Sequence, residues 1–209
     1  LIIFQGIIGW YMVKSGLVNV ITVRHYRLSI HLFTAIIIIS LIYWLIMNVL
    51  TKKNKIFFNF SKDNSIFIFL IFLIFAQILL GAFVSGLDAG KIYQTWPMMG
   101  NSLFPNDLIL INLNILTDFS NHSLVQFYHR NLAYLIILYI LALSFYIYKK
   151  KLVDLFKPLK ILFFILFLQV ILGILTLISG LNIYLASAHQ ITSVLLVFTA
   201  INLYYFRAK

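Results

Sequence analysis

Residues 65–87 read SIFIFLIFLIFAQILLGAFVSGL. No charge interrupts the run, and it is long enough to cross the roughly 30 Å hydrocarbon core of a bilayer, which takes about 20 apolar residues as a helix. A membrane β-strand would be about ten residues of alternating character, whereas this run is longer and continuous. In lipid each segment must satisfy its own backbone hydrogen bonds, so the run is a helix. Four more full-length runs follow the same rule, at 28–50, 122–148, 158–180 and 184–206, and a sixth at 1–15 opens in mid-run. The fold class is therefore an all-α integral membrane protein, with six transmembrane helices in this stretch.

The composition agrees. Of 209 residues, 63% are hydrophobic and only 10% charged, against about a quarter charged in a soluble domain. Too few polar residues remain to cover a water-facing surface, which excludes a soluble enzyme or nucleic-acid binder. The net charge of +11 has another explanation. Lys52, Lys53, Lys55 and Lys62, then Lys149, Lys150, Lys151, Lys157 and Lys160, then Arg207 and Lys209 all fall on one side. Cytoplasmic or matrix loops carry this basic excess, and it attracts anionic lipid headgroups. The opposite connections, 16–27, 88–121 and 181–183, hold only Arg24, Arg27 and Lys91, with Lys14 at the end of the first helix. There is no cysteine, hence no disulfide or thiolate site, and all five acids are aspartate. The chain opens at Leu1 without a methionine; we expect it to have lost N-terminal sequence, and no signal peptide is visible.

Three segments echo each other. Residues 5–17, QGIIGWYMVKSGL, and 169–181, QVILGILTLISGL, share Q-x3-G-x6-G-L, and QILLGAFVSGL at 77–87 is a shorter version. All three lie on helices running from the basic side outward, and each is followed by a helix with a histidine near its outer end. A same-direction repeat indicates related halves about an axis along the membrane normal. Alternatively, glycine and serine are simply common where membrane helices pack.

Those histidines are His31, His129 and His189, each within about two turns of the outer end of its helix. Ionisable residues inside a membrane helix are costly and are functional candidates, although a single one is as readily a hydrogen-bonded core residue. Three at one depth favour function. A small residue, Ala35, Ala133 or Ser193, stands four positions after each, on the same helix face, leaving room for a flat macrocycle. Zinc and copper sites usually add cysteine or carboxylate ligands, and a proton relay needs mid-membrane acids. Haem needs one or two axial imidazoles, an apolar slot and cations for its propionates. Arg130, Arg24, Arg27 and Lys91 lie at or above the right level. His25 and His122, at helix mouths, read as interfacial. The long connection 88–121 contains Trp96 and Pro97 and is either a lid over the ligand layer or an interfacial belt.

The strings QGIIGWYMVKSGL, YRLSIHLFTA, GAFVSGLDAGKIYQTWPMMG, VQFYHRNLAY, LGILTL and ASAHQITSVLL together resemble the haem A synthase family, and the match touches every helix. The lack of cysteine resembles its mitochondrial and alphaproteobacterial branch. The resemblance implies eight helices in two pseudo-symmetric four-helix bundles. Residues 1–50 would be the last two helices of the N-terminal bundle, where substrate haem O binds. Residues 65–206 would be the complete C-terminal bundle, with His129 and His189 as axial ligands of haem b and the outer loop at 88–121. It also implies that His31 ligates the substrate haem, with its partner histidine and a glutamate on a missing helix; Gln126 stands at the glutamate's place in the second bundle. The piece should then hold haem b without being catalytic.

The implied reaction oxidises the C8 methyl of haem O to a formyl group through two hydroxylations, with oxygen from water, giving haem A for cytochrome oxidase. Charge and depth suggest Arg24 and Arg27 as propionate contacts of the substrate haem and Arg130 of haem b. Asp88, Lys91, Trp96 and Pro97 fall in the family-like GLDAG…TWP loop. The implied partners are the bilayer, haem O with the enzyme that makes it, and an electron-transfer partner, with room for a homo-oligomer and no nucleic acid. Heavy use of Ile, Asn, Lys and Phe favours a bacterial inner membrane over the mitochondrial one. The competing readings are a bis-histidine membrane cytochrome b that makes no haem A, and a transporter or assembly scaffold with structural histidines.

Overall fold

A computed structural model describes residues 1–16, 25–108 and 116–208. Its helices are α1 (Ile2–Gly16), α2 (His25–Thr51), α3 (Lys62–Gly86), α4 (His122–Lys149), α5 (Phe156–Ile178) and α6 (Ile183–Arg207). They coincide with the six apolar runs, lengthened at several ends by polar residues that suit the interface. Asp63 lies in the first turn of α3, where a negative charge meets the positive end of the helix dipole. Asn121 caps α4 by accepting from the Leu124 amide at 3.0 Å, and Asn182 caps α6 in the same way. Among the described residues, α2, α3, α4, α5 and α6 are long and apolar enough to span a membrane. The 15 residues of α1 reach only about 22 Å at 1.5 Å per residue. No β-strand forms among the described residues, only an isolated bridge between Met99 and Ser102.

Helix α3 packs on α4, α4 on α5, α5 on α6 and α6 back on α3, which closes a four-helix ring. Helix α2 lies outside the ring against α3 and α6, and α1 packs on α2. Phe67, Leu70, Ile71, Ile74 and Ile78 of α3 enter a core shared with Ile136 and Ile140 of α4, Leu159 and Leu162 of α5 and Val197 and Ile201 of α6. Lipid is as apolar as leucine, so this association rests on close van der Waals packing and hydrogen bonds rather than on a hydrophobic drive.

The basic side is tied to the helix ends. Lys55 Nζ donates to the carbonyls of Tyr205, at 2.9 Å, and Ala208. These lie where the last carbonyls of α6 lack helical partners. The Trp44 indole donates to the Lys55 carbonyl at 2.8 Å, the Tyr204 hydroxyl to the Phe57 carbonyl at 2.7 Å, and Arg207 pairs with Asp63 at 2.6 Å. The connection 52–61 is thus docked against the ends of α2 and α6.

Candidate functional site

Three hairpins, α1–α2, α3–α4 and α5–α6, repeat one arrangement. In the first helix of each, a glutamine and a glycine four residues later share a face: Gln5 and Gly9, Gln77 and Gly81, Gln169 and Gly173. In the second helix a histidine faces that pair. His31 is the seventh residue of α2, His129 the eighth of α4 and His189 the seventh of α6. All three therefore lie about 9–10 Å along the axis from the outer helix end.

The glycines are cradles for the imidazoles. A Cβ on Gly9 would stand 3.1 Å from His31 Cε1, one on Gly81 3.1 Å from His129 Cε1, and one on Gly173 2.9 Å from His189 Cε1. Gly6, on the same helix as Gly9, has nothing within 4 Å of such an atom. Gly173→Ala should therefore displace the His189 ring and reduce ligand retention. Gly6→Ala should be neutral or stabilise α1 by up to about 1 kcal/mol. Absorbance of the bound chromophore per purified chain checks both, and equal behaviour of the two variants would refute the cradle.

The glutamines reach the same rings. Gln5 Nε2 lies 3.1 Å from His31 Nδ1 and donates to the His31 carbonyl at 3.0 Å, while its Oε1 accepts from the Thr34 hydroxyl. Gln77 Nε2 lies 3.1 Å from His129 Nδ1 and donates to the His129 carbonyl at 3.0 Å. In the third hairpin the ring turns to the main chain: His189 Nδ1 is 3.1 Å from the Gln169 carbonyl oxygen. His129 and His189 lie within electrostatic range of one another. The echo in the sequence thus marks a ring-holding device as well as a duplication. Its signal was present, because each Gln-x3-Gly helix precedes a histidine helix, but spacing alone does not say that the two faces meet.

Above this layer, the outer loop is fastened to α4. Arg130 NH1 donates to the carbonyls of Thr95 at 2.8 Å and Met98 at 3.1 Å, and NH2 donates to that of Tyr93 at 2.8 Å. Gln126, buried, donates to the same Tyr93 carbonyl at 2.8 Å, and the Trp96 indole donates to the Tyr134 hydroxyl at 3.1 Å. Asp107 accepts from the Tyr93 hydroxyl at 2.5 Å and from Ser123 at 2.6 Å. Burial pushes its carboxyl up, but these hydrogen bonds outweigh that and hold it below the usual carboxylate range. A cis peptide joins Trp96 to Pro97. At the loop's start, Gly90 is buried so closely against Leu181 that a Cβ there would stand 2.7 Å from Leu181 Cδ2.

The expected residues therefore separate. His31, His129 and His189 share one level. Arg130 is next to His129, but its two terminal nitrogens hold the loop, so a propionate would have to share those donors. Arg27, expected in the outer connection, is instead the third residue of α2, because the helix starts at His25. Its guanidinium lies 5.1 Å from the centre of the Tyr11 ring, and its buried NH1 lacks a hydrogen-bond partner among the described residues. Arg24 lies outside the described residues. Asp88 and Lys91 form an exposed pair at 2.9 Å, which contributes little. Ala35, Ala133 and Ser193 are half-buried.

These features fit a flat ligand with axial imidazoles. Each imidazole has a Cβ-free cradle. Gln77 Oε1, Gln169 Oε1 and Arg27 NH1 are buried and unpartnered among the described residues. The donor set is imidazole, which haem iron takes axially.

A ring of membrane helices with inward histidines on successive hairpins defines a class of protein that holds a prosthetic group between its helices. The chain belongs to the COX15-CtaA family of cytochrome oxidase assembly proteins, whose family model it matches over residues 1–201. It is 50% identical over 198 residues to the heme A synthase of Pelagibacter ubique, covering 93% of this chain and 56% of that protein. It is 39% identical over 194 residues to the heme A synthase of a Wolbachia pipientis strain from Culex pipiens, covering 93% and 57%. With that of Rickettsia prowazekii it shares 36% identity over 197 residues, covering 92% and 57%. The chain spans about half the length of the curated relatives it matches.

Proposed function

We propose that this chain works in haem A synthesis, oxidising the C8 methyl of haem O to a formyl group, and that it carries the haem b-binding bundle of that enzyme. The observation that carries the reading is the pair of Gln–Gly–His hairpins α3–α4 and α5–α6 closed into one ring, in a member of a cytochrome oxidase assembly family. His129 and His189 would hold haem b, which would supply one-electron redox chemistry when bound. Residues 65–206 form that bundle, and residues 1–50 contribute two helices to the site for substrate haem O.

In that second site His31, neutral so that it can ligate, binds the iron of the substrate. Arg27, one turn before it with a nitrogen that lacks a partner among the described residues, pairs with a substrate propionate, and Arg24 is a second candidate. The loop carrying Asp88, Lys91, Trp96 and Pro97 covers the outer rim and restricts water. The electrons leave to an electron-transfer partner, and the enzyme that makes haem O supplies the substrate. The protein is a multi-pass membrane protein with alphaproteobacterial relatives, and we place it in a bacterial inner membrane. The names of the relatives favour this reading over a cytochrome b without synthase activity.

The test is expression of the full reading frame in cells that make haem O but lack a synthase, followed by haem extraction and chromatography. Haem A, or its hydroxymethyl precursor, is expected from the wild type and should vanish in His31→Ala. Haem b with no haem A from the wild type would leave the cytochrome reading standing instead.

A further inference from the structure

We propose that the basic end of the bundle carries a binding site for one anionic phospholipid, formed where a cationic cleft and an aromatic cleft meet at Asn54 and Lys55. The site is separate from the histidine layer and does not depend on the haem reading.

The cationic cleft, of about 610 Å³, lies between the 52–61 connection and the end of α6, within the size range of ligand clefts. Among the described residues its lining carries Lys53, Lys55 and Arg207 against one carboxylate, Asp154. Arg207 is partly neutralised, since its NH2 pairs with Asp63 at 2.6 Å, but its buried Nε lacks a hydrogen-bond partner among the described residues. Neither lysine pairs with an acid among the described residues. The carbonyls of Tyr205 and Ala208 hold Lys55 in place, so its charge is fixed at the cleft. Burial, and then the charge of Lys53, hold its ammonium below the usual lysine range, and an anion between the two relieves that repulsion.

The second cleft, of about 560 Å³, shares Asn54 and Lys55 with the first and is lined by Ile56, Phe58 and Phe60. Alternate residues of the connection are drawn inward. The Phe57 ring packs 5.0 Å from that of Trp44, and the Asn59 amide donates to the Tyr204 hydroxyl at 3.3 Å. Ile56, Phe58 and Phe60 are left exposed, with the last two stacked. Apolar side chains beside a cationic surface suit a membrane interface. A free phosphate would use the first cleft and leave the second uncovered, whereas a phosphodiester bearing an acyl chain fills both. The positive lining favours a headgroup of net negative charge over a zwitterionic one. General attraction of basic loops to anionic lipid is diffuse; these clefts add a site of defined stoichiometry.

The test is native mass spectrometry of the delipidated full-length protein in detergent, titrated with phosphatidylglycerol or with phosphatidylcholine of the same chains. The wild type should bind one phosphatidylglycerol, at least about fivefold tighter than phosphatidylcholine, given that one cation near a lipid surface contributes roughly fivefold. On the same scale Lys53→Gln should weaken phosphatidylglycerol about fivefold and Lys53→Glu about 25-fold. Lys160→Gln removes another exposed lysine of the basic side, outside both clefts, and should leave the affinity unchanged. Phe58→Ser combined with Phe60→Ser should weaken the lipid, and inorganic phosphate should not displace it. An equal loss in Lys53→Gln and Lys160→Gln would overturn the site in favour of diffuse attraction. Equal affinity for the two lipids would overturn its anion selectivity. Displacement by phosphate, with the phenylalanine variants silent, would make it a phosphate site and overturn the lipid.

Discussion

His129→Ala and His189→Ala should each purify with haem b near background, while His31→Ala should keep it at the wild-type level. Losing a partner that merely orients a ligand costs roughly 10–100-fold in metal affinity. Losing the ligand should exceed that, because no other imidazole stands at the same level within the α3–α6 ring. His31 belongs to the α1–α2 hairpin, which packs on that ring through α2. The measurement is the reduced-minus-oxidised absorbance spectrum per chain. If His129→Ala kept full occupancy, that histidine would be a packed core residue and the ligand pair would be wrong. If His31→Ala lost haem as fully as the others, the division of the histidines between two sites would fail.

The helices were legible because a bilayer imposes one requirement on every segment that crosses it. Runs such as 65–87 and 158–180 need no amphipathic pattern to be recognised, and the lysines of 52–62 and 149–160 mark their side. The level of His31, His129 and His189 was legible for the same reason, since a helix rise converts sequence position into depth. Neighbour relations were not. In lipid the packed face and the exposed face of α3 are equally apolar, so Gln77 and Gly81 could be placed on one face but not against His129. The role of Arg130 was hidden in a similar way. Its position beside His129 suggested a propionate contact, but only the folded loop brings the carbonyls of Tyr93, Thr95 and Met98 to its guanidinium. Arg27 shows the boundary effect: a helix that starts at His25 carries it into α2 and over Tyr11.

Arg130→Ala should free the outer loop, and Arg130→Lys should free it nearly as much. A hydrogen bond from a charged donor contributes about 1.5–3 kcal/mol. Here three bonds share one half-buried guanidinium, and the released carbonyls can be rehydrated. A net loss of about 2 kcal/mol in loop closure is a reasonable scale, which corresponds to about 30-fold more open loop. Protease added to the outer face of spheroplasts reports that population when opening is fast relative to cleavage, so cutting between residues 88 and 121 should accelerate by about that factor. A lysine keeps the charge but cannot spread planar donors over three carbonyls, which is why it should not restore protection. Haem retention separates this role from the propionate contact. If charge toward a propionate were what Arg130 supplies, Arg130→Lys would retain haem b where Arg130→Ala lost it, and loop cleavage would match the wild type in both. Rapid cleavage in both variants with haem b retained would instead make Arg130 the latch that joins the outer loop to the helix carrying His129. The residue after His129 would then govern access to the proposed site rather than the charge balance of a haem.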